Sequence, residues 1–273
     1  MNDAAKSFFE KIRGKKVAFI GIGVSHRDLI PIFIEKGAQV TVCDRRTLEQ
    51  LGETARELEA QGVHLCLGDN YLNDIAGMDI VFRTPGMKYY TPELQDAMGA
   101  GVAVTSEMEL FFDLCPCPIY AVTGSDGKTT TTTLIAKMLE STGKKVYLGG
   151  NIGRALLPLI EEITSQDVAV VELASFQLIS MRRSPDVAVV TNISPNHLDI
   201  HKDMQEYITA KSNILAHQNA FGRAVLNEDN EASSVYRANV RGELYTFSRQ
   251  KEVESGAYCD KSGDIFFSHK GKK

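Results

Sequence analysis

Short apolar segments alternate with helical patterns from the start of the chain. Residues 16–23 (KVAFIGIG) form an apolar run that ends in glycines, residues 26–37 have helical periodicity, and residues 38–44 (AQVTVCD) form the next apolar run. This order is typical of a βαβ unit in a parallel sheet. Because the alternation continues through residues 62–68 and 78–86, the pattern predicts an N-terminal Rossmann-like domain.

A second α/β series follows the sequence CPCP at residues 115–118. Its apolar runs at 168–171 and 187–190 (VAVV in both) are continuous rather than alternating, which fits a parallel sheet covered on both faces. We therefore predict a Rossmann-like domain at 1–114 and a central α/β domain with a P-loop at 115–273. The chain ends in strand-like segments without a closing helix, so we expect this second domain to be incomplete at its C-terminal end.

Composition restricts the classes of partner. The chain has 273 residues, of which 43% are hydrophobic, and a net charge of −5 with a pI of about 5.7, so no basic surface favours nucleic acid. No apolar run approaches the roughly 20 residues of a membrane span, and no signal peptide is apparent. Five cysteines without metal-type spacing predict reduced thiols in a cytoplasmic protein.

The first glycine loop is GIGVSH, from Gly21 to His26. Two of the three glycines of a dinucleotide fingerprint are present, but His26 stands where close packing favours Gly or Ala. Asp44, with Arg45 and Arg46 after it, ends the second strand at about the distance of the ribose-binding acid. The pattern leaves three interpretations open: NAD binding, a structural tight turn, or a nucleotide-derived ligand whose phosphates meet the helix N-terminus.

The second glycine loop is TGSDGKTT, residues 123–130, between a predicted strand and a predicted helix. In that context glycines free backbone N–H groups to surround phosphate oxygens, and a lysine neutralises their charge. The full P-loop pattern requires a glycine where Val122 stands, so the match is to a shortened variant; the alternative is an ordinary turn with a surface lysine. The candidate nucleotide-binding residues are Gly124, Ser125, Asp126, Gly127, Lys128, Thr129 and Thr130.

Further polar residues follow the neighbouring predicted strands. Glu172 comes directly after the apolar run VAVV, and the loop after the next strand carries His197 and Asp199. A carboxylate after a buried strand is costly unless a cation meets it. Because carboxyl ends of parallel strands share one edge of a sheet, we expect Lys128, Glu172 and His197 to gather there in a metal–nucleotide site.

Lys211 interrupts the apolar stripe of a predicted helix. Met204, Ile208 and Leu215 lie on one face, and Lys211 stands between Ile208 and Leu215 in the middle of that stripe. Two interpretations are open: the side chain extends to the surface, or it is a functional lysine directed at the site.

Five segments in this order and spacing resemble the Mur ligase family. They are TGSDGKTT, GNIG (150–153), ELASFQL (172–178), NHLDIH (196–201) and AKSNIL (210–215). The first domain contributes GIGVS, TPGM and GVAVTSEMELF, and ELASFQL is similar to the D-glutamate-adding branch of the family.

The resemblance implies an ATP-dependent amide ligase of peptidoglycan precursor synthesis. Such an enzyme phosphorylates the carboxylate of UDP-N-acetylmuramoyl-L-alanine to an acyl phosphate, which the amine of D-glutamate attacks. ATP and Mg²⁺ at two sites are the implied cofactors. We expect a cytoplasmic monomer with no nucleic-acid or membrane partner.

The resemblance also implies residue roles. Lys128 and the loop amides would hold the β- and γ-phosphates, Thr129 and Glu172 one Mg²⁺, and His197 the second metal and the reacting carboxylate. Lys211 would react with CO₂ and become an anionic metal ligand, so that Lys128, His197 and Lys211 are the implied catalytic residues. The implied substrate-binding residues are Val24, Ser25, Asp44, Arg46 and Gly86 for the uridine diphosphate part, and Asn151.

Two departures from the family pattern qualify this expectation. Asp126 stands where much of the family has Asn, and we expect the chain to lack the C-terminal domain with which the family binds the incoming amino acid. We therefore expect weak binding of the UDP-sugar and ATP, with little D-glutamate-dependent turnover. The alternatives are a non-catalytic nucleotide-binding module of the same fold, or an NAD-dependent oxidoreductase built on the first glycine loop.

Overall fold

The computed structural model describes residues 2–194 and 201–272. The chain forms two compact units, the first made of residues up to Pro116 together with Arg154–Thr164, and the second of Cys117–Gly153 with the residues from Ser165 onward. Within the described ranges, no helix is both long and apolar enough to cross a membrane. None of the five cysteines, all within the described residues, forms a disulfide.

The first unit is built around a five-stranded parallel sheet. Its elements in chain order are α1 (Asp3–Lys11), β1 (Lys16–Ile20), α2 (Val24–Arg27), α3 (Leu29–Glu35), β2 (Gln39–Asp44), α4 (Leu48–Leu51), α5 (Glu53–Ala60), β3 (His64–Leu67), β4 (Ile80–Phe82), α6 (Pro92–Gly99), β5 (Ala103–Thr105) and α7 (Glu107–Leu114). The strand order β3-β2-β1-β4-β5 confirms the Rossmann-like prediction. Strand order reverses between β1 and β4, which is where open sheets of this kind bind ligands.

The second unit contains a mixed eight-stranded sheet. Its elements are β6 (Ile119–Thr123), α8 (Lys128–Ser141), β7 (Val146–Gly150), β8 (Val168–Glu172), α9 (Ser175–Leu178), β9 (Val187–Val190), α10 (Met204–Ala216), β10 (Arg223–Asn227), α11 (Glu231–Ser234), β11 (Glu243–Ser248), β12 (Gly256–Cys259) and β13 (Ile265–Ser268). The order is β13-β12-β11-β10-β9-β6-β8-β7, and β13 is antiparallel to β12 while the other pairs are parallel. The buried VAVV runs are β8 and β9, as predicted.

The first predicted helix is divided in two in the structure. It forms α2 and α3, which meet at Asp28. His26 and Phe33 then both contact Phe82 on β4, with ring centroids 6.4 and 5.2 Å away. Phe19 on β1 stacks on Phe82 at 4.8 Å. An aromatic cluster thus fixes the helices that follow the first glycine loop.

Residues 154–164 are held in the first unit by two buried side chains. Asn2 caps α1 through its Oδ1 and donates its Nδ2 to the carbonyls of Leu114 and Ile160, at 2.9 and 3.1 Å. Glu107 Oε1 accepts the backbone N–H groups of Leu156 and Leu157, at 2.9 and 2.8 Å. Burial raises the pKa of Glu107 to about 7, although the two N–H groups oppose this shift.

The pKa of Glu107 generates a test of this anchor. Because the folded pKa lies above the ordinary value of 4.5, the folded state binds the proton more tightly than the unfolded state. The contribution of Glu107 to stability is therefore full below pH 4.5 and is lost as the pH rises through 7. This linkage supplies up to about 3 kcal/mol.

We expect Glu107→Gln to abolish that component, since the amide oxygen still accepts the two N–H groups and does not titrate. Urea unfolding of both proteins at pH 5 and pH 7.5 measures it. The free energy of unfolding should fall more between these pH values in the wild type than in the variant. Equal pH dependence in the two proteins would contradict the anchor.

Candidate functional site

The second glycine loop joins β6 to α8 and is fastened to the segment after β9. Ser125 N–H donates to the Asn192 carbonyl at 2.9 Å, and Asp126 N–H donates to Asn192 Oδ1 at 3.0 Å. The Asp126 carbonyl accepts from Thr191 Oγ1 at 2.6 Å. Gly124 is packed so closely that a Cβ there would lie 1.9 Å from Thr191 Oγ1. The loop conformation is therefore held by contacts on both sides of its backbone.

The first turn of α8 supplies the features of an anion site. Gly127 is the N-cap with φ +78°, and a Cβ there would have open space around it. Lys128 begins the helix, and its Nζ donates to the Ser125 carbonyl at 2.9 Å. The leading N–H groups of a helix are not used inside it and favour negative charge. Asp126, the departure from the family pattern, is exposed, so water solvates its charge.

Glu172 is a buried carboxylate that receives a hydrogen bond at each oxygen. It ends β8, and its side chain accepts from Thr129 Oγ1 at 2.6 Å and from Asn151 Nδ2 at 2.8 Å. The close approach of the two strands needs Gly150, where a Cβ would lie 2.2 Å from the Glu172 carbonyl oxygen. The structure thus brings Thr129, Asn151 and Glu172 together at the carboxyl edge of the sheet.

Lys211 is buried and directed at the second glycine loop. Only 1% of the residue is exposed, so the interpretation that it extends to the surface is wrong. Its Nζ donates to the Gly124 carbonyl at 2.9 Å and to Thr123 Oγ1 at 3.2 Å, and lies 4.9 Å from the centre of the Tyr207 ring. Burial, with a smaller effect of the Lys128 charge, lowers the pKa of Lys211 to about 7, against the raising effect of Glu172.

His201 is a buried histidine beside Tyr207 that sequence reasoning did not single out. It is 3% exposed, with Nε2 2.7 Å from Ser175 Oγ and Nδ1 3.1 Å from Glu206 Oε1. The segment NHLDIH contains it, but the sequence offered no partner to distinguish it from His197. His197 and Asp199 lie outside the described residues, so the predicted proximity of His197 to Lys128 and Glu172 stays a prediction.

In the first unit, the loops after β1 and β4 adjoin at the point where the strand order reverses. Gly21 has φ +83° and lies against Thr84, which a Cβ at Gly21 would approach to 3.7 Å. Val24 is exposed and Ser25 half-buried in the first turn of α2, and Gly86 is exposed in the loop after β4. Val24, Ser25 and Gly86 on these two loops are therefore accessible to solvent.

Asp44 joins the first glycine loop to Arg46. Its Oδ2 accepts the Ile22 N–H at 3.0 Å, and both of its oxygens accept from the Arg46 guanidinium, at 2.9 and 2.7 Å. Burial alone would raise the pKa of Asp44, but the hydrogen bonds from Arg46 and Ile22 outweigh it and lower the pKa. The carboxylate is charged and holds the arginine at the ligand end of the sheet.

The position of His26 explains the missing third glycine. The ring is 1% exposed and its Nδ1 lies 2.9 Å from the Gly21 carbonyl oxygen. Burial lowers the pKa of His26 to about 4, so the ring is neutral at pH 7. The buried His26 ring therefore packs between the helix and the strand, where the third glycine of a dinucleotide fingerprint would allow the two to approach closely. Arg83, fully buried beside the Tyr89 ring, is a second residue of this region that the sequence did not single out.

The packing of Gly124 leads to a matched pair of substitutions. Gly124→Ala places a methyl group against Thr191 and should lower the free energy of unfolding by about 2–4 kcal/mol through overpacking and strain. Gly127→Ala has open space and should cost only the left-handed conformation, about 1–2 kcal/mol. Urea unfolding of both variants measures the difference; an equal loss in the two would show that packing against Thr191 does not fix the loop.

Comparison with known proteins extends this picture. The Mur ligase middle domain matches residues 122–273, and the Mur ligase MurD-like N-terminal domain matches residues 15–106. A UDP-N-acetylmuramoylalanine–D-glutamate ligase of Acetivibrio thermocellus is 51% identical over 94% of the chain, and one of Clostridium botulinum is 48% identical over 99%. The chain spans 55% and 59% of the length of these two relatives.

Solved structures agree on the fold. The UDP-N-acetylmuramate:L-alanyl-gamma-D-glutamyl-meso-diaminopimelate ligase of Neisseria meningitides superposes with a TM-score of 0.59 at 20% identity, over 95% of this chain and 85% of that one. Two family domains therefore account for most of the sequence, in the order in which the two compact units are built. The chain belongs to the Mur ligase family.

Proposed function

We propose that the chain provides the UDP-sugar-binding and ATP-binding parts of an ATP-dependent ligase that adds D-glutamate to UDP-N-acetylmuramoyl-L-alanine. The observation that carries this proposal is the grouping of Thr129, Glu172 and Lys211 around the glycine loop that precedes Lys128. Relatives that are about half identical bear the name of this ligase. The corresponding domains are 1–114 and 115–273, in a cytoplasmic monomer.

The second glycine loop fits the triphosphate of ATP. The N-terminus of the 14-residue helix α8 and the Lys128 ammonium group supply positive potential at one place. Gly127, where no Cβ intervenes, lets an anion approach the backbone. Ser125 and Asp126 already donate their backbone N–H groups to Asn192 and would act by shaping the loop, so the first N–H groups of α8, including that of Thr130, would bind the phosphates.

The donor set at Glu172 fits Mg²⁺, which prefers oxygen ligands. Thr129 and Glu172 would hold the ion with their hydroxyl and carboxylate oxygens, which already lie 2.6 Å apart. A bound Mg²⁺ would neutralise charge on the transferred phosphoryl group. Asn151 orients the carboxylate through its second oxygen, in addition to the substrate contact that the family resemblance implies. A second ion would be held by His197 and a modified Lys211.

Lys211 fits the role of a carbamate-forming lysine. CO₂ reacts with a neutral amine: the nitrogen lone pair forms the C–N bond, and one N–H proton leaves to solvent. A pKa of about 7 leaves a substantial neutral fraction at physiological pH, unlike a lysine at 10.5. The product would be an anion beside the glycine loop and would supply the second metal with oxygen ligands.

The first unit would hold the uridine diphosphate part. Val24, Ser25 and Gly86 lie on loops at the strand-order reversal, where such sheets bind nucleotides. The Arg46 guanidinium would meet the diphosphate, and Asp44 would act by positioning Arg46 and the loop backbone. This assignment favours a UDP-sugar over NAD as the ligand of the first glycine loop.

Lys128→Ala tests the ATP site. Removing the ammonium group should weaken Mg²⁺-dependent ATP binding by at least about tenfold. A hydrogen bond to a charged group contributes about 1.5–3 kcal/mol, and ~1.4 kcal/mol corresponds to a tenfold change in affinity. Isothermal titration calorimetry with a non-hydrolysable ATP analogue and Mg²⁺ measures it. Lys137→Ala, an exposed lysine of the same helix, is the control and should bind like the wild type. Equal affinity for the ATP analogue in all three proteins would show that ATP does not bind at this loop.

Carbamate formation gives a pH-dependent signal. With ¹³C-bicarbonate, the wild type should develop a carbamate resonance whose intensity rises as the pH increases through about 7, because the neutral amine is the reactive form. Lys211→Arg should lack the resonance, while Lys137→Arg should retain it. A resonance that persists in Lys211→Arg would assign the carbamate to another amine.

Separate binding measurements with the UDP-sugar and with NADH identify the ligand of the first unit. UDP-N-acetylmuramoyl-L-alanine should bind the wild type and bind Arg46→Ala at least about tenfold more weakly, since a charged hydrogen bond is lost. Nicotinamide fluorescence of NADH should not change on addition of the protein. A saturable fluorescence change with NADH, together with no binding of the UDP-sugar, would reverse the assignment.

A further inference from the structure

A second cluster of metal-ligating side chains lies in the first unit, at the edge strand β3. His64 and Cys66 are two residues apart on β3, so that they share one face of the sheet. Asp74, in the segment that follows β3, approaches the same face: Cys66 Sγ donates to Asp74 Oδ2 at 3.8 Å. One ligand atom from each of the three residues lies within 4.8 Å of the others.

We propose that His64, Cys66 and Asp74 form a binding site for a borderline-soft divalent cation of the zinc type. The donor set is one imidazole nitrogen, one thiolate sulfur and one carboxylate oxygen, which are the ligand types of Zn²⁺. Mg²⁺ and Ca²⁺ prefer oxygen ligands only, so the sulfur and nitrogen select against them. Three protein ligands leave the fourth tetrahedral position for water.

Cys43 supports the ligand set from the neighbouring strand. It lies in register with Cys66 on β2 and is fully buried in a hydrophobic cluster against which Cys66 packs. Packing against this buried residue restricts the Cys66 side chain, as outer neighbours of metal ligands generally do. Cys43 therefore acts as a positioning residue for Cys66.

The cluster is accessible to an ion from solvent. His64 and Asp74 are exposed, and both line a surface cleft that also includes Thr41, Asn73 and residues of the 38–40 segment. Cys66 is half-buried behind them. The three ligands thus come from a rigid strand and one adjoining segment, with an open approach, which are the features required of a metal site.

Cobalt substitution distinguishes this site from any oxygen-ligand site of the second unit. The reduced full chain, in a phosphine reductant and excess Mg²⁺, is titrated with Co²⁺ and then with Zn²⁺. We expect a thiolate-to-cobalt charge-transfer band that saturates at one ion per chain and is displaced by Zn²⁺. Oxygen ligands alone give no such band.

Four variants locate the site. Cys66→Ala should lose the charge-transfer band, and His64→Gln, an exposed position that folding tolerates, should weaken Zn²⁺ binding by at least about tenfold. Cys259→Ala and His217→Gln, a half-buried cysteine and an exposed histidine of the second unit, should leave band and affinity unchanged. Zn²⁺ should also raise the Tm of the wild type and not that of His64→Gln.

The proposal is overturned if the reduced wild type gives no charge-transfer band, or if the band and the Zn²⁺ affinity survive in both Cys66→Ala and His64→Gln. Loss of the band in Cys259→Ala alone would assign the cation to the second unit. These outcomes are independent of ATP and UDP-sugar binding, because neither nucleotide is present.

Discussion

The buried ammonium group of Lys211 is the constraint on which the organisation of the second unit depends. An uncompensated charge inside a protein costs several kcal/mol, so the chain must bring oxygen atoms to it. It does so with the Gly124 carbonyl and the Thr123 hydroxyl, which places the start of the glycine loop against α10. The residual cost appears as a lowered pKa, which is also the property that carbamate chemistry requires.

The same loop is fixed from its other side by the segment after β9. Thr191 and Asn192 bind the backbone of Asp126, and Thr191 leaves no room for a side chain at Gly124. Lys128 and the first turn of α8 are thereby presented in one conformation before any nucleotide binds. Preorganisation of this kind lowers the ordering cost of binding phosphate.

Much of the site could be predicted from sequence because its signals are local. Two charged residues, Glu172 and Lys211, stand in apolar segments where burial of a charge is unfavourable, and Lys128 follows two glycines in a loop between a strand and a helix. These three signals indicate the same edge of one sheet. The βαβ series followed from apolar periodicity, which is also a local signal.

The remaining features depend on contacts between distant parts of the chain. Neither the bond from Asn151 to Glu172 nor the packing of Thr191 on Gly124 leaves a periodic signal. His26 looked like a defect in a fingerprint, yet its ring fills an aromatic cluster that includes Phe82, far along the sequence. Arg154–Thr164 is attached to the first unit by hydrogen bonds between its backbone and the side chains of Asn2 and Glu107. Because every residue type has these backbone groups, the sequence does not show which of them a distant side chain will bind.

A crystal structure of the chain with Mg²⁺ and a non-hydrolysable ATP analogue tests the central claim most directly. The account predicts the β- and γ-phosphates against the N–H groups of residues 127–130 and the Lys128 ammonium, with one Mg²⁺ on Thr129 Oγ1 and Glu172. A nucleotide bound elsewhere, or a metal that contacts neither Thr129 nor Glu172, would contradict it.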